Sequence, residues 1–223
     1  MTRRMILPLL FGLIGAAVLI GLGVWQVQRL AWKEAVLAEI EARIGDAPVA
    51  LPKTADPVAD RFLPVAVDGR FTGEHLDVLV SRKQIGPGVR VIEVFQTADG
   101  RRVLVDRGFV AQDAREAARP SGPARVVGNL HWPQEQDSFT PAPDSRTGLW
   151  FARDVTAMAA ALQTEPLFIV AREATGAGIE AMPVDTSGIP NDHLTYAITW
   201  FSLAAVWLGM TAYLLWRIRQ RTV

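Results

Sequence analysis

The chain's 223 residues are half hydrophobic and carry 23 basic against 23 acidic side chains, for a formal charge of zero; the length suffices for one modest domain plus membrane segments. That balance gives no pull toward nucleic acid, and no basic cluster interleaved with aromatics supplies one locally. Cysteine is absent and the five methionines are scattered, which excludes disulfides, thiol redox chemistry, covalent c-type haem attachment and thiolate metal sites, and argues against a copper carrier.

Arg3 and Arg4 precede an uncharged apolar run at 6–24, long enough for a transmembrane helix. A cleaved signal peptide is the rival reading. The run is longer than a usual signal h-region and passes without a small-x-small cleavage site into Trp25 and Gln26, so the helix is expected to stay. Gly12 and Ala16 form a small-xxx-small pair on it, and Ala197, Ala204 and Ala205 are small positions on a second span at 193–216. Such residues let helices approach closely, and they are also simply common in membrane helices; both readings stay open. Arg217, Arg219 and Arg221 follow the second span. Basic residues at both outer ends place 1–5 and 217–223 in the cytoplasm and 25–192 on the other side. No amphipathic Ser- and Arg-rich leader precedes the first helix, which favours a bacterial inner (plasma) membrane with a periplasmic central region over an organelle.

From 25 to 44 the pattern stays helical but becomes polar, with Leu30, Val36, Leu37 and Ile40 among charges, and reads as a stalk continuing the first helix. Gly45, Pro48 and Pro52 end it. The period then changes to that of strands. Expected strands lie at 63–71, 76–80, 89–96, 102–110 and 124–132, with a turn at 85–88 and a hairpin at Asp99-Gly100. A loop at 139–147 leads to a helix at 153–162 with Asp154 as its cap, and 166–172 and 179–183 are closing strands. The expected fold is therefore a membrane α+β protein. Two transmembrane helices at the chain ends form a hairpin, and a small antiparallel β-rich domain at 60–184, barrel- or sandwich-like, lies between them.

No GxSxG elbow, Walker loop or HExxH is present, and the carboxylates show no metal-ligand spacing. Gly86-x-Gly88 is too short for a dinucleotide fingerprint. His75 and His131 are isolated and read as ordinary structural or surface histidines. Asp106-Arg107-Gly108 reads as a local charge pair beside a glycine imposed by close packing. An enzyme is the poor reading.

His193 differs. It opens the second span, with Asn191 as the expected N-cap, at a depth where an ionisable group is costly without a partner. Tyr196 shares its face, Thr199 and Trp200 lie within two turns, and Trp200 falls on the histidine side. An exposed helix-cap histidine is the plain reading. The polar-aromatic patch tips the balance toward a site, because neutral imidazole is a common axial ligand of haem iron.

Two long motifs at the ends of the chain carry a resemblance. Gly23-Val24-Trp25-Gln26-Val27-Gln28-Arg29-Leu30-Ala31-Trp32-Lys33 and Asn191-Asp192-His193-Leu194-Thr195-Tyr196-Ala197-Ile198-Thr199-Trp200-Phe201 resemble those of the surfeit-locus family of cytochrome c oxidase assembly proteins. Between them, Gly69-Arg70-Phe71, the Arg82…Gly86-Pro87-Gly88 turn and Val103 to Val110 also resemble it, with Asp106 and Phe109 where the family often has Asn and Trp. The resemblance implies a non-catalytic assembly factor that binds haem a transiently, with His193 as axial iron ligand and Tyr196, Thr199 and Trp200 around it. Trp25 and Arg29 would face them from the first helix; Arg29 would pair with a propionate or simply snorkel to the interface. The implied partners are oxidase subunit I, haem A synthase and membrane lipid. The alternative is a haem-free scaffold that stabilises subunit I during cofactor insertion.

Overall fold

The computed structural model describes residues 3–220 apart from Gln84, Pro120, Gly188 and the side chains of Arg3 and Arg4. The expected terminal segments 1–5 and 217–223, Arg221 included, therefore fall partly outside the described residues. The chain divides into two units, Met1–Glu39 with Thr186–Val223, and Ile40–Asp185.

The expected span and stalk are one continuous helix, α1 (Arg3–Gly45). The strands that follow are β1 (Val49–Ala50), β2 (Pro64–Arg82), β3 (Gly86–Thr97), β4 (Arg102–Ala111), β5 (Gly122–Leu130) and β6 (Leu149–Trp150). Then come α2 (Val155–Leu162), β7 (Phe168–Ala171) and α3 (His193–Gln220). In sequence, two long apolar helices thus flank a mixed β-sheet domain. Both helices are long and apolar enough to cross a membrane, with mean hydropathies of 2.6 and 1.6 in their most apolar windows. Leu7, Phe11, Val18 and Met210 lie exposed on them, as lipid-facing side chains do.

The sheet closes on itself. β2 pairs with β3, β3 with β4, β4 with β7, β7 with β5, and β5 returns to β2. All of these ladders are antiparallel except β4 with β7. Closure is possible because β2 is long enough to serve two neighbours, pairing with β5 from Pro64 to Phe71 and with β3 from Gly69 to Arg82. Its ladder with β3 shifts register between Phe71 and His75, where Gly73 takes a φ of +89°. The two strands expected at 63–71 and 76–80 are thus one strand bent at a bulge, the device by which barrels turn corners.

Alternation along the strands sorts the core. Val65, Phe95, Val103, Val126 and Ile169, one from each strand of the ring, belong to a single buried cluster that fills the barrel. The alternate residues Leu104, Phe168 and Val170 face the other way and pack with Val155, Met158 and Ala159 of α2. Asp154 caps that helix as expected, accepting from Ala157 N.

Several local expectations shift. The turn expected at 85–88 falls earlier, because Gly86, Pro87 and Gly88 are already paired with Arg82, Ser81 and Val80. The strand expected at 179–183 is only an isolated bridge between Phe109 and Glu180. That bridge explains Gly108: with φ +115°, a side chain there would strike the Glu180 carbonyl. The charges beside it do not pair with each other. Arg107 is fully buried and bonds Glu93, whereas Asp106 accepts from Arg90 and Arg153. A buried guanidinium needs a buried carboxylate, and Glu93, only 1% exposed, supplies it.

Candidate functional site

The site is built on the contact between α1 and α3. Gly12, Ala16, Leu19, Gly23, Gln26 and Leu30 of α1 are buried or half-buried at alternating steps of four and three. His193, Ala197, Trp200, Ala204, Trp207 and Thr211 of α3 repeat the same pattern. A seven-residue repeat makes a seam that coils left-handedly. The helices run antiparallel: Gly12 lies against Thr211, Gly15 against Trp207, Gly23 against Phe201, and Gln26 against His193. The Trp207 indole N–H donates to Gly12 O at 3.0 Å, which the missing side chain of Gly12 makes reachable. Of the small residues singled out in the sequence, Gly12, Ala16, Ala197 and Ala204 are buried in the seam and Ala205 is exposed.

His193, the first residue of α3, has its Nδ1 2.7 Å from Gln26 Oε1. An amide oxygen only accepts, so Nδ1 carries the proton and donates. The lone pair of the neutral ring is then on Nε2, which has no hydrogen-bond partner among the described residues. Gln26 is itself buried, at 8% exposure. Asn191, expected to cap the helix, does not: its Oδ1 is buried with no hydrogen-bond partner among the described residues, and the first turn is closed by Tyr196 N donating to Asp192 O.

The other expected residues spread around this pair. Trp200 lies on the seam two turns deeper, half-buried. One flank of the seam is an apolar groove of about 550 Å³ lined by Phe11, Ile14 and Val18 of α1 and by Leu203, Val206 and Met210 of α3. Helical periodicity carries the α1 side of this flank on to Trp25 and Arg29, and the α3 side back to Thr199 and Tyr196. Trp25 and Tyr196 are each 54% exposed. Arg29 stacks on the Trp32 ring at 3.9 Å and has no carboxylate partner among the described residues. The Thr199 hydroxyl donates to Thr195 O of its own helix. The residue that meets His193 is therefore Gln26, one position from Trp25. The legible signal for it was its place in the Gly12–Ala16–Leu19–Gly23 stripe, where a polar side chain needs a partner on the facing helix.

The SURF1 family matches residues 13–205, a span that includes both end motifs and the whole barrel. Surfeit locus protein 1 of Rattus norvegicus is 32% identical over 222 residues, covering 88% of this chain and 71% of that one. Its Homo sapiens counterpart is 31% identical, over 83% and 70% respectively. The chain belongs to the SURF1 family. A SURF1-like protein of Drosophila melanogaster is 32% identical over 87% of this chain. The SURF1 family is one of cytochrome c oxidase assembly factors, and none of these relatives carries an enzyme's name.

Within the SURF1 barrel domain a second polar cluster surrounds a cavity of about 340 Å³, with Arg82, Arg90, His131 and Arg153 in its wall. Its arginines are committed to carboxylates: Arg82 to Glu180, Arg90 to Asp106, and Arg153 to both Asp106 and Glu135. Burial of Glu135 opposes its ionisation, but hydrogen bonds and charge from Arg153 outweigh this and hold its carboxyl below the usual range. His131 stacks on Phe62, and burial, with the charges of Arg153, Arg61 and Arg90, pulls it down to about 4. Below 6.5 the unfolded chain therefore takes up a proton at His131 that the folded chain refuses. Stability should fall as pH drops from 6.5 toward about 4, and His131→Phe should flatten that part of the profile. Thermal unfolding of both proteins across this range checks it; equal slopes would assign the loss to other groups. His75, by contrast, donates from Nδ1 to Gly73 O and accepts at Nε2 from Arg119, a structural arrangement. Among the described residues no group of three or more metal-ligating side chains occurs.

Proposed function

We propose that this chain binds haem a as cargo and assists its insertion into subunit I of cytochrome c oxidase, receiving it from haem A synthase. It would sit in a bacterial inner membrane with the barrel domain periplasmic, an orientation supported by the basic residues at the outer ends of both spans. The observation that carries the reading is the unpartnered Nε2 of a histidine whose Nδ1 is already engaged. That is the donor state an axial haem ligand requires. The surroundings fit a porphyrin. An apolar flank suits the macrocycle, Trp25 and Tyr196 offer open aromatic faces, and Arg29, which has no carboxylate partner among the described residues, suits a propionate. Asn191 Oδ1 is a buried acceptor without a donor close to His193 in sequence. Holding the cofactor between two membrane helices would keep a hydrophobic, reactive molecule out of water during transfer.

The test is the optical spectrum of the full chain purified after co-expression with haem A synthase, beside His193→Ala. A stoichiometric haem a band is expected for the wild type, and its loss in the variant. A colourless, well-folded wild type would sink the carrier reading and favour a haem-free scaffold for subunit I. A full band in His193→Ala would remove His193 as the ligand.

A further inference from the structure

We infer that Gln26 is a positioning residue: its side-chain oxygen holds His193 in the Nδ1–H tautomer, so that Nε2 is the donor offered to a ligand. The inference about the tautomer stands on the structure alone; its use toward haem iron rests on the carrier reading above.

Neutral imidazole in water favours the Nε2–H form, which would block the nitrogen that projects furthest from the helix. Reversing that preference takes an acceptor at Nδ1. A carbonyl in the middle of α1 already accepts from the amide four residues on, and it takes a second bond from α3 only where no side chain covers it, as Gly12 O does from Trp207. Opposite His193 the acceptor is a side chain of α1, and the seam positions of that helix are otherwise glycine, alanine and leucine down to Gly12. Gln26 is the seam residue opposite His193, and its Oε1 lies 2.7 Å from Nδ1.

The choice of an amide is also informative. A carboxylate would be the stronger acceptor, but it would bring a charge to the edge of the hydrocarbon. A glutamine accepts without adding a charge. Leucine or alanine would fill the seam at no cost in desolvation, so a buried amide here is justified by the bond it makes. The same bond sets the ring plane of a residue that sits at the very start of α3, where packing alone would leave it loose.

The experiment uses the full chain in detergent, labelled with nitrogen-15 in its imidazole rings, at about pH 8, above the ordinary histidine range. There are only three histidines, and His193→Ala identifies the resonances of interest. The wild type is expected to show His193 as Nδ1–H. Gln26→Leu should move it to the Nε2–H form, whereas Gln26→Glu should keep Nδ1–H and so act as the conservative rescue. Circular dichroism confirms that each variant is folded. Finding wild-type His193 as Nε2–H, or an unchanged ring in Gln26→Leu, would overturn the inference.

A second arm titrates haem a into the same proteins. Gln26→Leu should lose about 10–100-fold in affinity, the usual effect of removing a ligand's orienting partner. Equal affinity for wild type and Gln26→Leu would overturn the positioning role while leaving the carrier reading intact. A wild type that takes up no haem a but shows the Nδ1–H ring would do the reverse.

Discussion

Replacing Arg107 with methionine is expected to cost the barrel domain about 3–5 kcal/mol, the usual result of removing one partner of a buried ion pair. The guanidinium is fully buried and Glu93 is 1% exposed, so the change leaves a buried carboxylate without the cation it is bonded to. Arg107 also donates to Thr175 at Oγ1 and at the backbone oxygen, and it stacks over the Phe71 ring at 4.1 Å. It thereby fastens the segment after β7 to the inside of the sheet. For a domain of this size the loss should lower the midpoint of thermal unfolding by roughly 10 °C. The double variant Arg107→Met/Glu93→Leu should recover part of this, since it removes the stranded charge; Thr175 and Gly73, which donates to Glu93, would still lose their partners. Unfolding of the full chain in detergent, followed by the β-sheet signal, measures both. A single variant within about 0.5 kcal/mol of wild type, the range of an ordinary surface change, would show that Glu93 takes up a proton or rearranges at little cost.

That ion pair also marks where the sequence was silent. The Asp106-Arg107-Gly108 run was legible as charge beside a close-packed glycine, and Gly108 is that glycine. The partners were not legible, because Glu93 and Arg90 come from β3 and Arg153 from the segment before α2. What could be read was local. The Asp99-Gly100 turn, the Asp154 cap and the strand pattern of β3 each depend on a few adjacent residues. Closure of the barrel depends on β7 pairing with β4 in parallel and with β5 antiparallel, across dozens of residues, and no periodicity encodes that. β1 and β6 are two residues each, too short for any pattern to show. At the helix pair the opposite holds. The four-three stripe from Gly12 to Leu30 is written in the sequence, and it points to Gln26 as His193's neighbour. Trp25 and Arg29 are exposed beside that stripe rather than part of it.

Gly23→Leu is expected to break the site, and Gly21→Leu to leave it untouched. Both changes add the same side chain to the same helix two residues apart, with the same gain in helix propensity and hydrophobicity. They differ in what the new atoms meet. At Gly23 a Cβ would lie 2.7 Å from the Phe201 ring, whereas at Gly21 nothing lies within 4 Å. Overpacking a tight contact costs about 1–3 kcal/mol. Here the strain can be relieved by letting the helices part, and Gln26 is less than one turn along the same stripe. A cost of that size would depopulate the Gln26–His193 bond by about fivefold to a hundredfold. The expected reading in Gly23→Leu is loss of the Nδ1–H form of His193 and, if the chain carries haem a as proposed, loss of its retention. Gly21→Leu should keep both, with unchanged thermal unfolding. The comparison settles what the sequence leaves open about these small residues. If the two variants behave alike, the glycines of α1 reflect only the general composition of membrane helices. If only Gly23→Leu fails, the seam is a packed surface, and the geometry of His193 is set by how closely the two helices are allowed to approach.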